Sequence, residues 1–271
     1  MDFSLSESQN MLIHSAESFF KKDAKNLARK VEEEESQFSM DFWRQMSPLG
    51  FQGMVFPEEY GGTSGDFVDL LLLMEEFGKA VVPGPFISTV VCGLAVLNFG
   101  TEEQKKKYLS AIIEGGAIMT PAMIAPEKAK AETVSAGSGS AVVSGTKLFV
   151  PYAHVAEWIL YQAETGKEKA FYVVEAKGAG VKSTLLKTMA FNGLCEVSLD
   201  GAKGEPLGES GQGNEIARRI GEWGALAESG YLVGQMEKIM AMVVDHAKQR
   251  VQFGKPIGSF QAIQHQCADM L

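Results

Sequence analysis

The 271-residue chain is 45% hydrophobic and 22% charged, the balance of a globular protein with material for two or three cores. Its formal net charge of −9 lacks the basic surplus that nucleic-acid binding requires, and its apolar runs, Leu70–Met74 among them, are too short to cross a bilayer. Met1–Gln9 has no basic n-region or apolar h-region, and Cys92, Cys195 and Cys267 form neither a close pair nor a metal-ligand spacing; a cytoplasmic location with reduced thiols is expected.

Ser6-x-x-Gln9 is a capping-box pattern and predicts a helix carrying Leu12, Ala16 and Phe19 on one side. The acidic cluster Glu32–Glu35 is expected on a solvated helix face or loop. A short helix is predicted over Asp41–Met46 before Pro48 and Gly50. Phe56–Gly62 is expected as a loop and Phe67–Phe77 as helix. Thr101-x-x-Gln104 caps a further Lys-rich helix that Gly115-Gly116 ends.

Past Gly116 the pattern changes to short β-branched and aromatic runs at 141–143, 148–150, 158–161, 171–174 and 196–199, separated by Gly, Ser and Lys turns. These predict a small antiparallel β-domain. The run Gly137–Ser140 is expected to be a hairpin turn rather than a phosphate loop, since no helix start follows it. Beyond it, Val233, Met236, Met240, Val243 and Ala247 recur at helical spacing, as do Phe260, Ile263, Cys267 and Met270. Two such stripes joined by the Gly254–Gly258 turn predict neighbouring helices of a bundle, with Met236–Met242 in its core. The chain stops inside the second stripe without a helix-ending residue, which predicts that further helices follow in a longer protein. His14, His154, His246 and His265 stand apart and receive no role.

The C-terminal stretch R-x-Q-F-G-x-P-I-G-x-F-Q-x-I-Q-H-x-x-A-D-M, Arg250–Met270, resembles a pattern of the acyl-CoA dehydrogenases. These are FAD enzymes that desaturate acyl-CoA thioesters between the α and β carbons. Met-Asp-Phe-x-Leu at the start, V-F-P-E-E-Y-G-G at Val55–Gly62, E-E-F-G at Glu75–Gly78 and G-T-E-E-Q-K at Gly100–Lys105 resemble the same family in the same order. The resemblance implies an α+β fold in three parts. They are an N-terminal all-α domain (1–117), a central antiparallel β-barrel-like domain (118–210), and the first part of a C-terminal four-helix bundle (211–271).

It also implies a site. FAD in the family stretches across a dimer contact, so Arg250 would face the pyrophosphate or ribose as a charge-assisted donor. Phe253 would pack on FAD, with Gln252, Ile257, Phe260 and Gln261 lining the same pocket. In the β-domain, Met123 and Ile124 fall where the family carries a Thr-containing flavin motif. Phe149 takes the place of an aromatic beside the flavin in G-x-K-L-F-V-P, and Pro151 stands where a Thr often bonds the flavin edge. Both hydroxyls are replaced, and proline brings no N–H.

Desaturation needs a carboxylate base for the α proton and a flavin for the β hydride. The family's usual base lies beyond Leu271. Its alternative position corresponds to Gly224, with Ala225 where an Arg often accompanies it, so no catalytic residue is assigned. Glu222 is taken as a substrate-edge carboxylate, and Glu228 lies one turn beyond Gly224. Two functions follow. One is an oligomeric FAD-dependent dehydrogenase passing electrons to an electron-transfer flavoprotein. The other is a non-catalytic structural subunit that lends its Arg250 turn to a partner's FAD. A related flavin oxidase on the same fold stays open.

Overall fold

The computed structural model describes residues 4–127, 132–136, 140–165 and 168–271. The first three residues, most of the expected 137–140 turn and Lys128-Ala129-Lys130 lie outside them.

Local signals set the N-terminal helices. α1 (Glu7–Asp23) begins at Ser6, whose hydroxyl accepts from Gln9 N while Gln9 Oε1 accepts from Ser6 N, the capping box expected from sequence. α2 (Leu27–Glu33) and α3 (Met40–Gln45) follow, then α4 (Phe67–Ala80). α4 has its own box at Asp66 and Asp69. α5 (Phe86–Phe99) was not legible as a separate helix because it is apolar on every side and buried from Thr89 to Val96. α6 (Glu102–Ile113) is capped by Thr101 and Gln104, as expected.

The β-region departs from expectation. Its strands are β1 (Met119–Ala122), β2 (Thr133–Ala136), β3 (Ala141–Pro151), β4 (Trp158–Thr165), β5 (Glu168–Glu175), β6 (Val181–Leu185) and β7 (Leu194–Leu207). They form one sheet in the order β1-β4-β5-β7-β3-β2, with β6 added alongside β7. β1 runs parallel to β4, Met119 opposite Trp158, and every other pair is antiparallel. The sheet is therefore mixed and open rather than an antiparallel barrel: β1 and β2 stand at opposite ends of the order and do not pair. The long β7 accounts for much of this. It takes β3 on one edge while its two halves are shared between β6 and β5, which extends the sheet instead of closing it.

A buried ion pair fixes β3. Lys147, with no side-chain exposure, places Nζ 2.8 Å from Glu132 Oε1 as a charge contact rather than a well-directed hydrogen bond. Tyr161 Oη donates to the same oxygen at 3.0 Å, and Glu164 N donates to Glu132 Oε2 at 2.7 Å. Just past the end of β3, His154 Nε2 lies 2.6 Å from the Ser36 carbonyl, which only accepts. Nε2 therefore carries a proton, and Nδ1 lies 3.2 Å from the Cys195 sulfur. With Gly193 N donating to Gln37 Oε1 at 3.1 Å, this contact ties the 34–37 turn to the β6–β7 connection.

α7 (Gly213–Gln249) is a single 37-residue helix. It crosses α4 at backbone contact distance. A Cβ on Gly78 would collide with the Tyr231 carbonyl, one on Gly234 with the Glu75 carbonyl, and one on Gly230 would lie 3.0 Å from Leu71 O. Lys79 links the pair, 2.8 Å from both Glu76 and Glu237. Beyond this crossing the expected bundle core is not covered among the described residues: Met236 is 59% and Met242 61% exposed. α8 (Gln261–Met270) contacts this end of α7, and Met270 is half exposed.

Candidate functional site

The helical domain, the end of β3 and α7 enclose a cavity of about 750 Å³, within the roughly 300–1,000 Å³ range of small-molecule sites. Trp43, Phe77 and Phe86 form apolar walls, and Tyr152 enters from the sheet side. α7 contributes Ile220, Gly224, Glu228, Tyr231 and Gln235. Their spacing of four, four, three and four places them along one helical stripe. Gly224 offers the cavity no side chain, and nothing lies within 4 Å of where its Cβ would be. Glu222 faces elsewhere: it bonds Arg218 and approaches Arg219 at 3.6 Å on the solvent side, and it does not line the cavity. Glu228 lines it instead. Helical periodicity from Gly224 identifies that residue, one turn on.

Burial raises the phenol of Tyr152 to about 12, against a lowering contact from the Gly84 N–H. Burial, reinforced by the Glu228 carboxylate, raises that of Tyr231 to about 12. Both are neutral hydrogen-bond donors across the physiological range.

Next to the cavity lies the face expected to meet the flavin. Ile124 pairs with Leu148, whose N–H donates to the Ile124 carbonyl at 2.8 Å. This brings Met123 and Ile124, from the end of β1, beside Phe149. Ile124 is 56% and Phe149 51% exposed, and Phe149 sits at φ 56° in a bulged part of β3. Pro151 lines the cavity, and its carbonyl accepts from Thr120 Oγ1 at 2.5 Å. The face is apolar. Neither Ile124 nor Pro151 offers a side-chain hydroxyl, and the neighbouring Thr120 hydroxyl proton is already committed.

The Arg250 turn has the opposite character. Val251–Gln252 (β8) and Lys255–Pro256 (β9) pair as a hairpin whose two turn residues, Phe253 and Gly254, have φ 53° and 80°. Two successive positive φ angles describe a type I′ turn, in which phenylalanine is an unfavourable occupant. Its side chain is nonetheless 92% exposed, edge-on to Phe260 at 6.1 Å. Ile257 N donates to the Arg250 carbonyl at 2.8 Å and closes the turn. Arg250, Gln252 and Gln261 are exposed, Ile257 and Phe260 half-buried, and among the described residues no carboxylate pairs with Arg250. A free guanidinium on an exposed hairpin suits an anionic diphosphate. No hydrogen bond, ion pair or ring contact among the described residues joins this hairpin to Ile124 or Phe149. The expected FAD residues therefore form two groups within one chain: a polar hairpin that fits the anionic part of FAD, and a face whose side chains do not fit a hydrogen-bonded flavin ring.

Among the described residues no helix is long and apolar enough to cross a membrane. Residues 6–116 match the acyl-CoA dehydrogenase N-terminal domain and residues 211–271 the acyl-CoA dehydrogenase C-terminal domain. The chain is 30% identical to the probable acyl-CoA dehydrogenase YngJ of Bacillus subtilis, over all of this chain and 76% of that protein. It is 28% identical to the acyl-CoA dehydrogenase FadE27 of Mycobacterium tuberculosis, over 89% of this chain and 65% of that protein. It thus spans about two thirds to three quarters of their length. Among solved structures, a chain of the ChsE4-ChsE5 complex from Mycobacterium tuberculosis superposes with a TM-score of 0.89 at 25% identity, covering 99% of this chain and 74% of that one. With matching models at both ends of the chain and this degree of identity to its relatives, the protein belongs to the acyl-CoA dehydrogenase family.

Proposed function

We propose that this chain is a non-catalytic subunit of a hetero-oligomeric acyl-CoA dehydrogenase, contributing its Arg250 hairpin to FAD whose flavin ring works in the partner subunit. FAD supplies the hydride acceptor for α,β-desaturation of an acyl-CoA, and the assembly passes electrons to an electron-transfer flavoprotein. In this chain Arg250 binds the diphosphate, Gln252, Phe253, Ile257, Phe260 and Gln261 surround it, and Met123, Ile124, Phe149 and Pro151 form an apolar wall. The division 1–117, 118–210 and 211–271 separates the helical, sheet and hairpin-bearing parts of this assembly.

The observation carrying this reading is the contrast between the two halves of the site. The hairpin keeps free donors, whereas the flavin face has Ile124 and Pro151 in place of hydroxyls and Gly224 brings no base to the cavity. Likeness to a chain of a two-component complex supports it. A self-sufficient dehydrogenase is the competing reading, and one experiment separates them. The chain is purified alone and with related dehydrogenase subunits from its own genome, and bound flavin is read from visible absorbance. We expect flavin only in a co-purified complex, and Arg250→Ala in this chain to lower its retention by about tenfold, the scale of one charge-assisted contact. Stoichiometric FAD on the isolated chain, together with oxidation of an acyl-CoA, overturns the proposal.

A further inference from the structure

The cavity is apolar along most of its wall but polar where α7 passes the α4–α5 turn. Tyr152 Oη faces the Gly84 N–H and, among the described residues, has no acceptor for its own proton. Tyr231 Oη faces the Val82 carbonyl at 3.4 Å, beyond good hydrogen-bonding distance, and Gln235 is directed at its oxygen. Glu228, on the same stripe, lies at the rim. One phenol with a free proton, a second whose proton is held only by a long bond to the Val82 carbonyl, and one carboxylate that only accepts thus lie at one end of an otherwise oily space.

We propose that this end is a recognition site for a hydroxyl group carried on the apolar body of the cavity's ligand, with Glu228 and Tyr231 as the residues that determine that specificity. A hydroxyl satisfies both sides at one atom: it donates to the Glu228 carboxylate and accepts from a tyrosine. A ketone would set its oxygen against the carboxylate with no proton between them. A terminal carboxylate would meet like charge, and a bare methyl would leave the phenols unpaired in a desolvated site. Every group involved belongs to this chain, so the specificity does not depend on where the flavin is held. It rests on the functional reading above only in the choice of a thioester probe.

The test is calorimetric titration of the full chain, without added FAD, with dodecanoyl-CoA and 12-hydroxydodecanoyl-CoA. The hydroxylated thioester is expected to bind about tenfold tighter, as for one hydrogen bond to a charged group. Glu228→Gln and Tyr231→Phe are each expected to remove most of that preference, read as the ratio of the two affinities measured on the same variant. Equal affinity of the native chain for the two thioesters, no binding of either, or a preference that survives both substitutions overturns the inference. Flavin on the isolated chain would sink the subunit reading and leave this one standing, so the two failures are distinguishable.

Discussion

Replacing Lys147 by methionine should be among the most destabilising single changes in the sheet. The side chain is fully buried, and its partner Glu132 has only 7% side-chain exposure. Methionine fills much of the same volume, so the packing loss is small. What remains is a carboxylate held by the Tyr161 hydroxyl and the Glu164 amide without its cation. Breaking a buried pair in this way costs about 3–5 kcal/mol, a large part of the roughly 5–15 kcal/mol that holds a domain folded. Removing both charges is different. The double variant Lys147→Met/Glu132→Gln keeps an amide oxygen to accept from Glu164 N, lets its NH2 donate to the Tyr161 hydroxyl oxygen, and leaves no unpaired charge, so it should lie within about 1–2 kcal/mol of the native protein. Urea denaturation of the native chain, both single variants and the double variant measures the cycle, provided that the denaturant slopes agree. A loss below about 1 kcal/mol for Lys147→Met, or a double variant as unstable as the single one, refutes the argument that Lys147 stabilises by neutralising Glu132.

Gly234→Ala should destabilise by about 1–3 kcal/mol despite alanine's better helix propensity, because its Cβ meets the Glu75 carbonyl. Gly221→Ala in the same helix has open space around it and should stabilise by up to about 1 kcal/mol, and thermal melts of the pair check both signs. Burial works against the charge of Glu205, but hydrogen bonds from Tyr108 and Gln104 and the Lys107 cation outweigh it and hold this carboxyl below its ordinary range. Because the folded-state value is depressed, its stabilisation is present above the ordinary glutamate value of about 4.3 and is lost as pH falls through the folded one. The melting-temperature gap between native protein and Glu205→Gln should therefore narrow on acidification below about pH 4; a gap that widens contradicts the sign. Phe253→Asn replaces a strained turn residue with one suited to type I′. It should leave the melting temperature equal or higher while lowering FAD retention in the proposed complex.

Much of the helical domain was legible because its signals are local. Ser6 with Gln9 and Thr101 with Gln104 each cap a helix through atoms three residues apart; the turn expected at Gly254–Gly258 is instead a two-strand hairpin that turns at Phe253-Gly254. The motif carrying the family resemblance is equally compact, twenty-one consecutive residues from Arg250 to Met270. The sheet was not legible to the same degree. Alternation predicts that residues 141–143, 158–161 and 171–174 are strands, but nothing within β1 shows that its partner is the distant β4 or that the pairing is parallel. Nor does any local pattern show that β7 is shared among three neighbours, which leaves the sheet open. The site divides in the same way. Sequence alone shows which side chains both proposed flavin-related groups offer, and that Ile124 and Pro151 bring no hydroxyl, since those are matters of residue type. The tertiary structure decided that Glu222 turns to Arg218, that Glu228 lines the cavity with Tyr152 and Tyr231, and that Lys147 is neutralised by Glu132. Residue type determines which hydrogen bonds and charges a side chain can offer; only the packing of distant segments determines which of them meet.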